Sequence, residues 1–256
     1  MIIVAGPCQH ESYEKSMLIA QECAEVCSKY GLDYYFKSSF DKANRTSLSG
    51  VRGIGMYKTL DDFRLIKEGG VKVLTDVHTV SHINTIIDQY NDVIDVIQIP
   101  AFLCRQTDLL LAACATDKIV NIKKGQFLAP WDVAGVLSKT LGAKEVWITE
   151  RGTSFGYNNL VVDFTGLDYM LNEYNVPIVF DATHSVQKPS GSGDSSGGNR
   201  DYVRGLTRAA SALGVTNFFL EVHPDPDSSP SDGPNMLYLD KFEETIRDIH
   251  RYSYTS

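Results

Sequence analysis

The sequence predicts an α/β chain closed into a parallel barrel, the (β/α)8 or TIM fold. Three observations carry this: eight short runs rich in β-branched and aromatic residues, an amphipathic stretch after each, and a length of 256 residues that suits one barrel. A single domain spanning 1–256 is therefore expected. An open doubly wound sheet is the competing arrangement, weakened because no glycine-rich dinucleotide fingerprint follows the first run.

The elements alternate in order. Ile2–Ala5 precedes the helical pattern Tyr13–Lys29, and Asp33–Lys37 precedes Thr59–Glu68. Val71–Asp76 precedes Thr79–Gln89, and Val93–Ile99 precedes Gln106–Ala115. Ile119–Lys123 precedes Pro130–Leu141, and Glu145–Thr149 precedes Gly166–Glu173. Pro177–Asp181 precedes Arg200–Leu213, and Asn217–Val222 precedes Asp240–Arg251. The strand runs are nearly continuous in Val, Ile, Leu and Phe, as strands buried on both faces should be. Two loops stand out, the Gly/Ser-rich segment 188–199 after the seventh run and the Pro/Asp/Ser-rich segment 224–235 after the eighth. Each reads either as a linker or as a strand-to-helix loop at the catalytic face; a linker at 188–199 would strand the last unit outside the barrel.

The composition is 43% hydrophobic and 22% charged, with a net charge of −8 and no lysine–arginine cluster, so nucleic-acid and anionic-membrane partners are not expected. No apolar stretch approaches the roughly 20 residues of a membrane span. Five cysteines and no secretory pattern suggest a cytoplasmic protein with reduced thiols. Cys23 and Cys27, four apart on a helix, are read as core residues.

Barrel chemistry gathers at the C-terminal ends of the strands. Lys37, Lys42, Arg45, Arg105, Lys123 and Arg151 all fall there, as do Lys124 and Glu150. Like charges at close range repel, so this many cations on one rim imply bound anions, more than one of them. Arginine suits bidentate phosphate contact and lysine a point-charge contact. Cys8, His184, Glu221 and Asp232 form a second group. A thiolate, an imidazole and two carboxylates suit a divalent transition metal better than magnesium or calcium. From the residues alone, a metal-free site with His184 as general base stands beside that reading.

Several stretches carry a family resemblance: A-G-P-C (5–8), F-K-S-S-F-D-K-A-N-R-T-S (36–47), T-D-V-H (75–78), N-I-K-K-G-Q-F-L-A-P-W (121–131), T-E-R-G-T-S-F-G-Y (149–157) and D-A-T-H-S-V-Q (181–187). Through these the chain resembles the 3-deoxy-D-manno-octulosonate-8-phosphate (KDO8P) synthases almost end to end. K-A-N-R separates that group from the related DAHP synthases, which carry K-P-R-T there. The resemblance implies a (β/α)8 barrel, usually a homotetramer. Its activity would join phosphoenolpyruvate, D-arabinose 5-phosphate and water to give KDO8P, a precursor of lipopolysaccharide. It implies that Lys37, Ser39 and Lys42 hold the phosphoenolpyruvate carboxylate. Lys123 and Arg151 would hold its phosphate, with Gln98 and the Ala101 backbone nearby. Asn44, Arg45 and Thr46 would bind the aldose and its phosphate, joined by Arg105 of a neighbouring subunit. His184, Lys42, Asp232 and Asn44 would form the catalytic set, with Gln187 beside the reacting centre. Cys8 matches the metal-dependent branch, where the metal-independent branch has Asn. Cys8, His184, Glu221 and Asp232 would then bind one divalent ion, Fe²⁺, Zn²⁺, Mn²⁺ or Co²⁺. Two other readings are kept: a sister enzyme using erythrose 4-phosphate, and a catalytically silent binding barrel. The stretch S-G-V-R-G-I-G (49–55) departs from the group's pattern. The first strand starts almost at residue 1, so the barrel bottom is expected to be closed by other means than an N-terminal plug, or left more open.

Overall fold

A computed structural model describes residues 1–45, 47–190 and 197–253. Eight parallel strands form a closed sheet. They are β1 (Ile2–Gly6), β2 (Asp33–Lys37), β3 (Lys72–Asp76), β4 (Val96–Ile99), β5 (Ile119–Lys123), β6 (Glu145–Glu150), β7 (Ile178–Asp181) and β8 (Asn217–His223). Each pairs with the next, and β8 returns to β1 with Val4 opposite Phe219. The predicted barrel is the observed one.

Helices follow every strand: α1 (Tyr13–Lys29), α2 (Met56–Glu68), α3 (Val80–Gln89), α4 (Thr107–Cys114), α5 (Val133–Leu137), α6 (Phe164–Glu173), α7 (Val203–Leu213) and α8 (Phe242–Ser253). Side-chain caps set several starts. Ser12, Thr79 and Asp163 accept hydrogen bonds from the first-turn amides of Lys15, His82 and Thr165. The fifth helix is shorter than the expected Pro130–Leu141. A 3₁₀ turn at Pro130–Asp132 precedes it, and the helix ends at Leu137, where the N–H groups of Lys139 and Thr140 bond three residues back to Val136 O and Leu137 O.

Strand alternation sorts the core into two layers. Val4, Tyr35, Leu74, Val96, Trp147, Val179 and Phe219 point inward and pack on one another, while their outward neighbours, such as Ile3, Phe36, Val73 and Ile97, pack against the helices. Ile2 and Ile119 join the inner cluster, so side chains of the strands themselves fill the barrel floor.

Three short pairings were not expected. Thr153–Ser154 pairs with Leu160–Val161, Gln187–Lys188 pairs with Gly197–Gly198, and Leu237–Tyr238 adds alongside the end of β8. In the Gly/Ser-rich segment 188–199, residues 191–196 lie outside the described residues. No described helix is long and apolar enough to cross a membrane.

Candidate active site

The inward series of each strand continues past the apolar floor and turns polar. Counting by twos, Tyr35 leads to Lys37, Leu74 to Asp76, Val96 to Gln98, and Ile119 to Asn121 and Lys123. Trp147 leads to Thr149 and Arg151, Val179 to Asp181, and Phe219 to Glu221. These residues converge beneath a cavity of about 1080 Å³ at the C-terminal end of the barrel. Gly6 allows the first two strands to approach there, since a Cβ at that position would meet the Lys37 carbonyl oxygen at 2.1 Å.

One wall is a lysine–serine–aspartate cluster. Lys37 and Lys42 both donate to Ser39 Oγ, at 3.0 and 2.9 Å, and Ser39 in turn donates to Asp76 in a very short contact. Lys37 Nζ also lies 3.7 Å from Asp76 and 4.0 Å from Glu221. Burial works against the charge on Lys42, but Cys8, Asp76, Glu221 and Asp232 outweigh it and hold the ammonium above its ordinary range. The facing wall carries Lys123, which pairs closely with Asp181, and Arg151. Arg151 Nη2 donates to Gln187 at 2.8 Å, while its Nη1 is buried without a partner. Burial pulls the Lys123 ammonium down to about 8.

The second cluster lies between these walls. Sγ of Cys8 and carboxylate oxygens of Glu221 and Asp232 all lie within 4.8 Å of one another. His184 Nε2 is 3.6 Å from Glu221 and 3.9 Å from Asp232. The other ring nitrogen, Nδ1, is 2.6 Å from Asp181, which also accepts the His184 backbone N–H at 2.9 Å. Asp181 thus fixes the tautomer with Nδ1 protonated and turns the Nε2 lone pair towards the cluster. Burial opposes ionisation of Asp181, yet His184 and then Lys123 outweigh it, holding the carboxyl well below the usual range.

These residues fit a divalent transition metal. Both oxygens of Glu221 are buried and accept no hydrogen bond, a costly state that a cation would relieve. Asp232 occupies the left-handed region at φ +53°, a strain on the order of 1–3 kcal/mol that places its carboxylate beside Cys8. Burial, then Glu221, pushes the Cys8 thiol up; a coordinated cation reverses that balance, because cysteine binds as thiolate.

Most of the remaining predicted residues also meet here. Gln98, Ala101, Asn44, Arg45 and Gln187 line the cavity. Gln98 donates to Asn121, which donates to Thr149, forming a buried ladder across three strands. Gln187 bridges the clusters, accepting from Arg151 and donating to Asp232 at 2.8 Å. The guanidinium of Arg45 donates to Val51 O, Ser231 Oγ and Gln9 Oε1, so it spans the loops after β2 and β8. Arg105 is exposed and does not line this chain's cavity. Thr46 lies outside the described residues. Sequence reasoning assigned no role to Asp76, Asn121 or Asp181. The signal for Asp181 was its place three residues before His184 at a strand end; for Asp76 and Asn121 it was strand parity.

A barrel whose open end gathers cations around a thiol, an imidazole and two carboxylates is the frame of an enzyme that handles small anionic substrates. The profile of the DAHP synthetase I family matches residues 1–253, and the chain belongs to that family. A 2-dehydro-3-deoxyphosphooctonate aldolase of Bradyrhizobium diazoefficiens is 52% identical over 250 residues, covering 96% of this chain and 87% of the relative. One from Rhodopseudomonas palustris is 51% identical over 253 residues, covering 98% and 87%. Another, from Rickettsia bellii, is 49% identical over 253 residues, covering 98% and 90%. That name is a synonym of KDO8P synthase, so the resemblance read from the motifs is borne out.

Proposed function

We propose that this protein condenses phosphoenolpyruvate with D-arabinose 5-phosphate and water, giving KDO8P and phosphate. The observation that carries the reading is one cavity holding two cation pairs, Lys37 with Lys42 and Lys123 with Arg151, around the Cys8–His184–Glu221–Asp232 cluster. Two anionic substrates repel each other in water; fixed ammonium and guanidinium groups offset that repulsion and hold the reacting carbons in contact.

The chemistry balances as follows. C3 of phosphoenolpyruvate bonds to the aldehyde carbon of the aldose, and the aldehyde oxygen gains a proton. Water adds its oxygen to C2 and gives up both protons, one to the former aldehyde oxygen and one to the departing phosphate, as the C2–O bond to phosphate breaks and C2 becomes the ketone carbon. Lys37, Ser39 and Lys42 bind the carboxylate. Lys42, kept charged by its acidic neighbours, donates to the aldehyde oxygen as negative charge develops on it. Lys123 and Arg151 take the phosphate of phosphoenolpyruvate, supported by Gln98 and the Ala101 backbone; the unpartnered Nη1 of Arg151 is a donor ready for it. Asn44, Arg45 and Thr46 receive the aldose, and Arg105 of a neighbouring subunit of a homotetramer completes its phosphate site. Cys8, His184, Glu221 and Asp232 hold the metal, one of Fe²⁺, Zn²⁺, Mn²⁺ or Co²⁺. When bound, it supplies a Lewis acid that polarises and orients a substrate oxygen. Asp181 keeps His184 in the ligating tautomer, and Gln187 holds Asp232 and Arg151 in register. The setting is the cytoplasm, in lipopolysaccharide sugar synthesis.

The test is phosphate release from phosphoenolpyruvate with arabinose 5-phosphate and erythrose 4-phosphate offered separately, before and after chelation. Faster turnover of the five-carbon aldose is expected, with loss on chelation. Faster turnover of erythrose 4-phosphate would assign the DAHP reaction instead.

A further inference from the structure

Lys124 and Glu150 form an ion pair in the wrong layer of the barrel. Their chain neighbours Lys123 and Arg151 point into the cavity, so strand alternation turns Lys124 and Glu150 outward, beneath the helices. Lys124 lines a small cavity there together with the apolar side chains of Cys104, Ile122, Leu128, Val133, Val136 and Ile148. Lys124 is 2% exposed and Glu150 4%, and Nζ lies 3.3 Å from Oε2. Neither residue lines the cavity.

A buried ion pair gains little net stability over apolar side chains of the same volume. Its value lies in direction. Here each partner holds the backbone beside one phosphate-binding cation. Oε1 of Glu150 accepts the backbone N–H groups of Arg151 at 2.9 Å and Gly152 at 2.6 Å. This fixes the turn out of β6, where Gly152 has φ +90°. Lys124 Nζ donates to Leu128 O at 2.9 Å and so folds the loop leaving β5 back on itself. The Lys124 backbone N–H bonds to Thr149 O at 2.8 Å, and Ser154 N bonds to Gln126 O at 3.0 Å. The side-chain pair thus closes a frame already laced by two backbone bonds between the β5 and β6 exits.

We infer that Lys124 and Glu150 are positioning residues, which set the spacing of Lys123 and Arg151 and so the affinity for the phosphoenolpyruvate phosphate. This rests on the function proposed above. Cations facing one phosphoryl group must hold their geometry, and a displacement of an ångström costs as much as a hundred-fold in such sites. Asp181 and Gln187 hold the tips of Lys123 and Arg151 from within the cavity, but the two like charges repel each other, and the backbone that carries them is held from the other face by Lys124 and Glu150.

The test uses the metal-loaded enzyme. Lys124→Met alone leaves the Glu150 charge buried and unpaired and is expected to lower Tm. Lys124→Met with Glu150→Gln removes both charges yet keeps an amide oxygen for the Arg151 and Gly152 N–H groups, so it separates position from stability. In the double variant, Tm should stay near wild type while KM for phosphoenolpyruvate rises about ten-fold or more. KM for the aldose should not change, and calorimetric binding of phosphoenolpyruvate alone should weaken in parallel. An unchanged KM for phosphoenolpyruvate, or an equal rise in both KM values, would overturn the inference. Wild-type enzyme that neither binds nor turns over phosphoenolpyruvate would remove the functional reading with it. Wild-type turnover with an unaffected double variant removes this inference alone.

Discussion

Cys8 Sγ donates to Asp232 Oδ2 across 3.3 Å, although 224 residues separate them in the chain. The first residue loop of the barrel and the last thereby share a site, with Glu221 and His184 completing it. Metal loading should therefore depend on Cys8 directly. Cys8→Ala should lose bound metal, measured by elemental analysis of the purified protein, together with turnover. Because the thiol must shed its proton to bind, loading should weaken as pH falls. Cys8→Asn removes the thiolate but keeps a hydrogen-bonding partner for Asp232. If the ion chiefly organises the site, this variant should keep some turnover that chelators no longer inhibit. Full wild-type activity after verified removal of all metal would contradict the assignment.

Asp181 makes a separate prediction because it touches both His184 Nδ1 and Lys123. Asp181→Asn keeps the shape but can donate an N–H to Nδ1, moving the imidazole proton to Nε2 and blocking the ligating lone pair. Loss of such an outer partner costs about 10–100-fold in metal affinity. Competition with a metal-sensing dye would read this without any turnover. Affinity equal to wild type would show that Asp181 does not set the tautomer.

The Lys123 ammonium, pulled down to about 8 by burial, sets a pH limit. The cationic form persists below that value, so the contact to a substrate phosphate is present at neutral pH and fades as pH rises through it. The pH profile of kcat/KM for phosphoenolpyruvate should fall on that alkaline side. In Lys123→Arg the fall should move to higher pH, since a guanidinium keeps its proton. For folding the sign is the reverse. The folded state disfavours the charge relative to the ordinary value of 10.5, so the Lys123 penalty is full at low pH and lifts as pH rises past about 8.

The barrel was legible because both strand faces are apolar near the floor, which makes each strand a continuous hydrophobic run. Site residues were legible as polar groups just beyond those runs. What the runs hid was parity. Lys123 and Lys124 look alike in sequence, yet alternation sends one into the cavity and the other under the helices. Strand ends, too, moved where a turn captured the backbone. The run expected to begin at Val93 begins at Val96, because the N–H groups of Val93 and Ile94 both bond to Tyr90 O in the turn that follows α3. The short pairings at 187–188 and 237–238 carry no periodic signal, being two residues each.

Arg45, with Val51 in its own loop after β2, ties that loop to the loop after β1 through Gln9 and to the loop after β8 through Pro230 and Ser231. Because Arg45 receives the aldose in the proposed site, its removal should act on the aldose far more than on phosphoenolpyruvate, whose cations belong to other strands. A charge-assisted contact of this kind is worth roughly 1.5–3 kcal/mol, or about ten- to a hundred-fold in affinity. Arg45→Ala should raise KM for arabinose 5-phosphate within that range. Arg45→Lys should recover only part of the loss, because one ammonium cannot reach four acceptors set around a planar fork. Steady-state kinetics with each substrate varied in turn distinguish the outcomes. Equal increases in both KM values would place Arg45 in loop stability rather than in aldose binding, and the Tm of the variant would fall with them.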